Sequence, residues 1–325
     1  MTTSPDLTIG IGWESVSDDS VDWKEVRSRL DEANASGVTV SVGRADFIGF
    51  PVKGQEDRWA SGVSEKDDIV DDVITSLTKG TDRRVVLTID TMAPRIVETN
   101  PKYEGVFASG EKAEDFPSAT ALYEGEVGEG VEKLCAATQE RYSPDAIALT
   151  ELIGDTFFSA ADEELFKEMT GEKEFPRDDK GDIDTSDDIL NDWQSEIITS
   201  VITRCQEASG GSVVMDARVN WDAPGENRFD SGHRYDDILD TGADLTLWTY
   251  TSLAQKDPQA IEEIAAGLKD RFGDEAAERF TLSVGLWGDI SPKELTQSVD
   301  SAEGFPVSVT PLSLMTDKHW DALSN

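Results

Sequence analysis

The chain has 325 residues, 67 acidic against 29 basic side chains, and a formal charge of −38. That length fits one large α/β barrel or two average domains, and 38% hydrophobic residues with eight Trp supply enough apolar surface for a substantial core. The charge argues against DNA, RNA and anionic membranes as partners, since those need Lys and Arg to displace counterions, and no apolar run approaches the ~20 residues that span a bilayer.

In chain order, β-rich runs alternate with amphipathic helical stretches. The pattern predicts a strand over Leu7–Trp13 and a helix near 22–35, then a strand over Val38–Gly43 and a helix near 63–79. A third strand, Arg84–Asp90, is followed by a long connection and a helix near 127–141; a fourth, Ala146–Thr150, by another long connection and a helix near 187–208. Strands over Ser212–Arg218, Ala243–Tyr250, Arg279–Trp287 and Pro306–Thr310 follow, with helices near 234–240, 258–272, 291–302 and 317–323. Ser64, Ser186 and Ser291-Pro292 read as helix starts, and Gly80, Gly210 and Gly242 as helix stops.

Eight strand–helix units are the arithmetic of a single (β/α)8 TIM barrel, residues 1–325, with long loops after strands three and four. An open doubly wound sheet is disfavoured, because Gly10-Ile-Gly12-Trp-Glu lacks the third glycine of a phosphate-binding turn. Within the strands a small or polar set (Thr8/Gly10, Thr39/Ser41, Thr246/Trp248, Ser283/Gly285) alternates with an aliphatic one (Ile9/Ile11, Val40/Val42, Leu87/Ile89, Val213/Met215). The aliphatic set is expected to meet the helices, and the small-polar set to line the barrel axis. The ends of the strands then open on the C-terminal face, where barrel enzymes hold their sites, and loops as long as 91–126 and 152–186 are usually functional or mobile.

That face collects Trp13 and Glu14, Arg44, Asp90, Glu151, Asp216 and Arg218, Trp221, Trp248 and Tyr250, Trp287 and Asp289. Indoles and carboxylates with few cations suit a neutral or weakly charged glycan, whose C–H faces stack on Trp while its hydroxyls bond to carboxylates. Glu151 is the first candidate for a general acid/base, with Asp216 and Asp90 as partner carboxylates. The remaining residues are assigned to substrate binding. Two His and two Cys make no metal motif, so neither metal nor cofactor is expected, and the Asp178–Asp184 run lacks the spacing of a calcium loop. Cys135 and Cys205 read as small buried apolar residues, and His233 as the partner of a loop hydrogen bond.

The segments LTIGIGWESVSDDSVDWKEV, YSPDAIALTELI, LSVGLWGDISPKEL and VSVTPLSLMTDKHW resemble the glycoside-hydrolase-like TIM barrels, over nearly the whole chain. In many of these the proton donor is a Glu at the end of strand four, the position of Glu151. The large retaining clan has Asn before that Glu and a second Glu ending strand seven, where this chain has Thr150 and Trp287. Chitinase-like barrels pair the strand-four Glu with a strand-six Tyr, which Tyr250 matches, but their alternating Asp series is replaced by Ala146, Ala148 and Thr150. The resemblance implies a glycoside hydrolase or, alternatively, a barrel that binds glycans without cleaving them, such as a virion tail or receptor-binding component. Assembly into a virion or a homo-oligomer stays open on this reading. The start, MTTSPDLTIG, lacks the features of a secretory signal, which points to the cytoplasm of a high-salt cell or to a virus particle.

The acidic residues are spread along the chain, as in SDDSVDW, EKDDIVDD and RYDDILDTGAD, and not gathered in a tail. A surface so charged repels itself in dilute buffer, whereas at 1 M salt the screening length falls to about 3 Å. A halophilic protein is therefore expected, and its melting temperature should rise steeply between 0.1 M and multimolar salt. A melting curve insensitive to salt would identify an ordinary acidic protein.

Overall fold

The structure, a computed structural model, describes residues 6–324; the first five residues, which open the segment read above as lacking a signal, lie outside the described residues. Eight parallel strands form a closed ring: β1 (Leu7–Ile11), β2 (Gly37–Arg44), β3 (Arg84–Asp90), β4 (Ala146–Thr150), β5 (Val213–Arg218), β6 (Asp244–Trp248), β7 (Phe280–Gly285) and β8 (Val307–Thr310). Each pairs with its neighbours in sequence, and β1 closes the ring by pairing with both β2 and β8, Ile9 opposite Val38 on one side and Val309 on the other. Helices connect consecutive strands, as parallel pairing requires. No helix among the described residues is long and apolar enough to cross a membrane.

The alternation read from the strands is the one that folds the chain. Ile9, Ile11, Val40, Val42, Leu87, Ile89, Val213 and Met215 are all buried in one hydrophobic cluster under the outer helices. The longest of these helices, Asp188–Ser209, buries Leu190, Trp193, Ile197, Val201 and Cys205, a stripe at the three- and four-residue spacing of one helix face. Helix ends follow the local chemistry with two shifts of register. Ser291 caps its helix in a capping box with Glu294, as its Pro292 neighbour suggests. Asp68 and Asp187 take the caps assigned to Ser64 and Ser186, which instead bond to Asp67 and Asp184 in the preceding turns.

The cysteine reading is corrected. Cys135, on helix Glu126–Tyr142, and Cys205, on helix Asp188–Ser209, are buried but joined as a disulfide, with Cα atoms 5.5 Å apart. Their 70-residue separation hid the pairing. Because β3, β4 and β5 are neighbours, the two helices that follow β3 and β4 lie side by side, and the cysteines meet across that seam.

The long connections are ordered. Residues 91–126 hold two short helices and a hairpin, Glu104–Val106 with Lys112–Pro117; residues 152–186 hold helix Ala160–Thr170. Asp162, fully buried, caps its own helix and accepts from the backbone N–H and hydroxyl of Thr120, tying the two connections together. Phe157, Phe166, Phe175 and Trp193 form an aromatic cluster, with Trp193 edge-to-face against Phe157 and Phe166 and tilted against Phe175. They form a packed flank of the barrel, where the sequence suggests mobile or functional loops.

Replacing both cysteines by Ala is expected to lower the unfolding free energy by about 2–4 kcal/mol, the range typical of disulfides. Denaturant unfolding of the oxidised protein and the double variant in high salt measures it, and coincident midpoints would contradict it.

Candidate active site

The inward-facing set is so small that the barrel is hollow. Thr8, Gly10, Thr39, Ser41, Thr88, Ala148, Thr246, Ser283 and Ser308 line a cavity of about 420 Å³ that runs along the axis, from Arg84, Asp244 and Arg279 at the strand starts to Trp13, Arg44, Asp90, Glu151, Asp216, Trp248, Tyr250 and Trp287 at the C-terminal face. Barrels of this kind are usually filled along the axis by branched aliphatic side chains. Here, among the described residues, Val86, Ala146, Ala148 and Val214 form a small buried apolar cluster apart from the main core.

Three carboxylates stand on adjacent strands on one side. Asp90 ends β3 opposite Arg44 of β2 and Thr150 of β4. Its Oδ1 accepts the Met92 N–H at 2.7 Å. Burial, with the charges of Glu151 and Asp46, raises its pKa to about 7 against the pull of the Met92 bond and Arg44. Asp216, on β5, is likewise raised to about 7 by burial and by Glu151, while hydrogen bonds from the Thr150 and Trp248 side chains oppose the shift. Glu151 follows the last residue of β4, half-buried, its pKa raised by burial and Asp155 and lowered by Arg218. Its φ of 59° puts a non-glycine residue in the left-handed region, at a cost on the order of 1 kcal/mol.

Among the described residues none of these three carboxylates is locked in an ion pair. Arg44 is turned instead to Asp46, a buried carboxylate that accepts from its Nε at 2.7 Å and from the Arg95 backbone N–H at 2.7 Å. Arg218 is turned to Asp155, at 2.7 Å. Two guanidiniums therefore stand near the acids without neutralising them.

The other wall is aromatic. Trp248 and Tyr250 stack with centroids 5.7 Å apart, and Trp287 leans on Tyr250 at 4.9 Å, 37% exposed. Burial holds the Tyr250 phenol well above its ordinary pKa, helped by Asp216 and Glu151, so the ring keeps its proton and can donate. Gly285 makes this wall: a Cβ there would lie 2.5 Å from Tyr250 Cδ1. Trp13 closes the rim against Phe47, and Glu14 accepts from Ser313 at 2.8 Å.

Of the residues assigned to the site from sequence, Glu151, Asp216, Asp90, Trp13, Glu14, Arg44, Trp248, Tyr250 and Trp287 line the cavity. Arg218, Trp221 and Asp289 do not. Arg218 acts from behind Glu151. Trp221 is carried away by a turn in which Asn220 Oδ1 accepts from the Asp222 and Ala223 N–H groups, and it packs on the core. Asp289 is exposed after the Gly288 turn, itself at φ 60°. Sequence reading missed Phe47, which lines the rim, and Asp155, which holds Arg218; neither falls on a barrel strand, so strand periodicity gives no signal for them. The described residues contain no group of three His, Cys, Asp or Glu that could hold a metal ion, the Asp178–Asp184 turn included.

No protein-family model matches the chain, and no curated protein matches it significantly. Solved structures do. The PgaB (BpsB) glycoside hydrolase domain from Bordetella bronchiseptica superposes with a TM-score of 0.67 at 11% identity, over 98% of both chains. The β-amylase catalytic domain from Paenibacillus polymyxa gives 0.62 at 10% identity, over 98% of this chain and 95% of that one. α-L-Fucosidase isoenzyme 2 from Paenibacillus thiaminolyticus gives 0.65 at 13% identity, over 98% of this chain and 48% of that one. The fold is the barrel of known glycoside hydrolases. At such identities the likeness extends to the fold and carries no residue assignments.

The raised carboxylates have a consequence for stability. Asp216 holds its proton to about pH 7 in the folded chain, whereas an unfolded Asp releases it near 3.8. Between these values the folded state binds more protons, so stability falls as pH rises through the window and the cost is fully present above about pH 7. Asp216→Asn should therefore be more stable than the parent at pH 8, by on the order of 2 kcal/mol. The gain should vanish near pH 3.5. Paired denaturant curves at the two pH values test this, and an equal difference at both would refute it.

Proposed function

We propose that the protein is a glycoside hydrolase that cleaves a neutral or weakly charged glycan by carboxylate acid/base catalysis. The observation that carries this reading is one cavity holding Glu151, Asp216 and Asp90, all with raised proton affinity, against a wall of Trp248, Tyr250 and Trp287. A sugar ring stacks on the aromatic wall through its C–H face, and its hydroxyls bond to Asp90 and Arg44. Glu151, whose proton affinity is raised by burial and by Asp155 against the pull of Arg218, donates a proton to the leaving glycosidic oxygen. Asp216 is the partner carboxylate, acting as nucleophile or as base for water. Its bonds from Thr150 and Trp248 orient it, and Tyr250 beside it donates to the reacting sugar. The separation of the two carboxyl groups with substrate bound decides the stereochemistry, about 5 Å for retention and about 6.5–9.5 Å for inversion.

The disulfide supports work outside a reducing cytosol, as on a released virion component or another protein exposed to cell-surface glycans. The glycoside-hydrolase domains of similar fold support the reaction class, and the small rim favours a short stretch of sugar over a large flat partner.

Glu151→Gln is expected to lower hydrolysis at least ~10²-fold while leaving glycan affinity within a few-fold. A glycan array in multimolar salt identifies the ligand, and turnover of the bound glycan compares the two proteins. Binding without turnover by the unmutated protein would make this a glycan-binding barrel instead.

A further inference from the structure

Outside the cavity lining sits a side chain that reaches the site through the backbone. His233 is fully buried, in the loop after β5. Its Nε2 lies 2.9 Å from the carbonyl oxygen of Leu152, which can only accept, so Nε2 carries the proton. Its Nδ1 is then a lone pair and accepts the backbone N–H of Arg218 at 3.0 Å. The Ser231 hydroxyl, 3.1 Å from Nδ1, donates instead to the Arg228 carbonyl. One ring thus joins Leu152, two residues past the end of β4, to the last residue of β5.

We infer that His233 is a positioning residue of the site: by bolting Leu152 to Arg218 it holds the strand ends that carry Glu151 and the guanidinium behind it. This rests on the hydrolase reading in giving Glu151 a catalytic task. Three observations make the bolt specific. Glu151 occupies a left-handed conformation that a free strand end abandons, and the next peptide carbonyl is the one His233 holds. Arg218 reaches back across the same gap to Asp155, whose turn is fixed again by the Gln194 side chain bonding to the Gly154 carbonyl at 2.7 Å. Tyr235 donates to the Arg218 carbonyl at 2.7 Å, so the backbone N–H and C=O of Arg218 are both engaged. A charged ring would present a second N–H to the Arg218 N–H. Burial, with Arg218 and Arg228 nearby, keeps the ring neutral down to about pH 4, against the Leu152 bond and Asp230.

The test uses His233→Ala and His233→Gln of the full chain with ¹³C-carboxyl-labelled Glu, the Glu151 resonance being assigned by its loss in Glu151→Gln. In His233→Ala the strand end relaxes, water reaches the carboxylate, and its titration midpoint is expected to fall by about one pH unit. His233→Gln keeps a donor for Leu152 but cannot serve Arg218 with the same geometry, so about half the fall is expected; should the Ala variant not fold, the Gln variant decides alone. An unchanged midpoint in a folded variant overturns the inference. Turnover of the array-identified glycan is measured in parallel, with kcat expected to drop at least ~10-fold at nearly constant KM. A shifted midpoint in a protein that hydrolyses no glycan would leave the positioning role standing and remove the hydrolase reading.

Discussion

The alternation of aliphatic and small side chains along eight strands governs the rest of this molecule. Because the aliphatic face packs outward under the helices, hydrophobic burial is satisfied in the layer between sheet and helices, and Thr, Ser, Gly and Ala are left to face the axis. A ring lined this way cannot fill its own centre. The space it leaves becomes the cavity, and the strand ends place Asp90, Glu151 and Asp216 at its mouth where water is scarce.

Scarcity of water gives these acids their chemistry. In bulk solvent each would be ionised and unremarkable; here desolvation and mutual repulsion favour the protonated forms. The arginines that could have cancelled the effect are engaged elsewhere, Arg44 by Asp46 and Arg218 by Asp155. Such an arrangement destabilises the folded chain at neutral pH, and the disulfide and the packed flank of the long connections offset that cost far from the cavity.

Much of the architecture was legible in the residues. β3 and β4 have the predicted bounds, the other barrel strands differ by one or two residues at an end, and the inward and outward faces are those the period-two pattern implies. Nine of the twelve residues assigned to the site line the cavity, because a residue at a strand end has little freedom in where it points. The exceptions are Arg218, which ends β5 but is drawn aside by Asp155, and residues that lie off the strands. Trp221 and Asp289 follow turns, where one left-handed residue or one Asn side chain redirects the chain, and Phe47 and Asp155 lie on connections with no period to read.

The sequence by itself determined the closed barrel, the polarity of its faces and which strand ends carry acids, because these depend on periodicity and on neighbours in the chain. Only the tertiary structure decided that Cys135 meets Cys205, that the arginines turn from the catalytic candidates to Asp46 and Asp155, and that His233 clasps the end of β4. Each of those is a contact between segments that are not adjacent strands or a choice among rival partners. Such contacts are settled by which surfaces the folded chain brings within a few ångströms, and no local pattern encodes that distance.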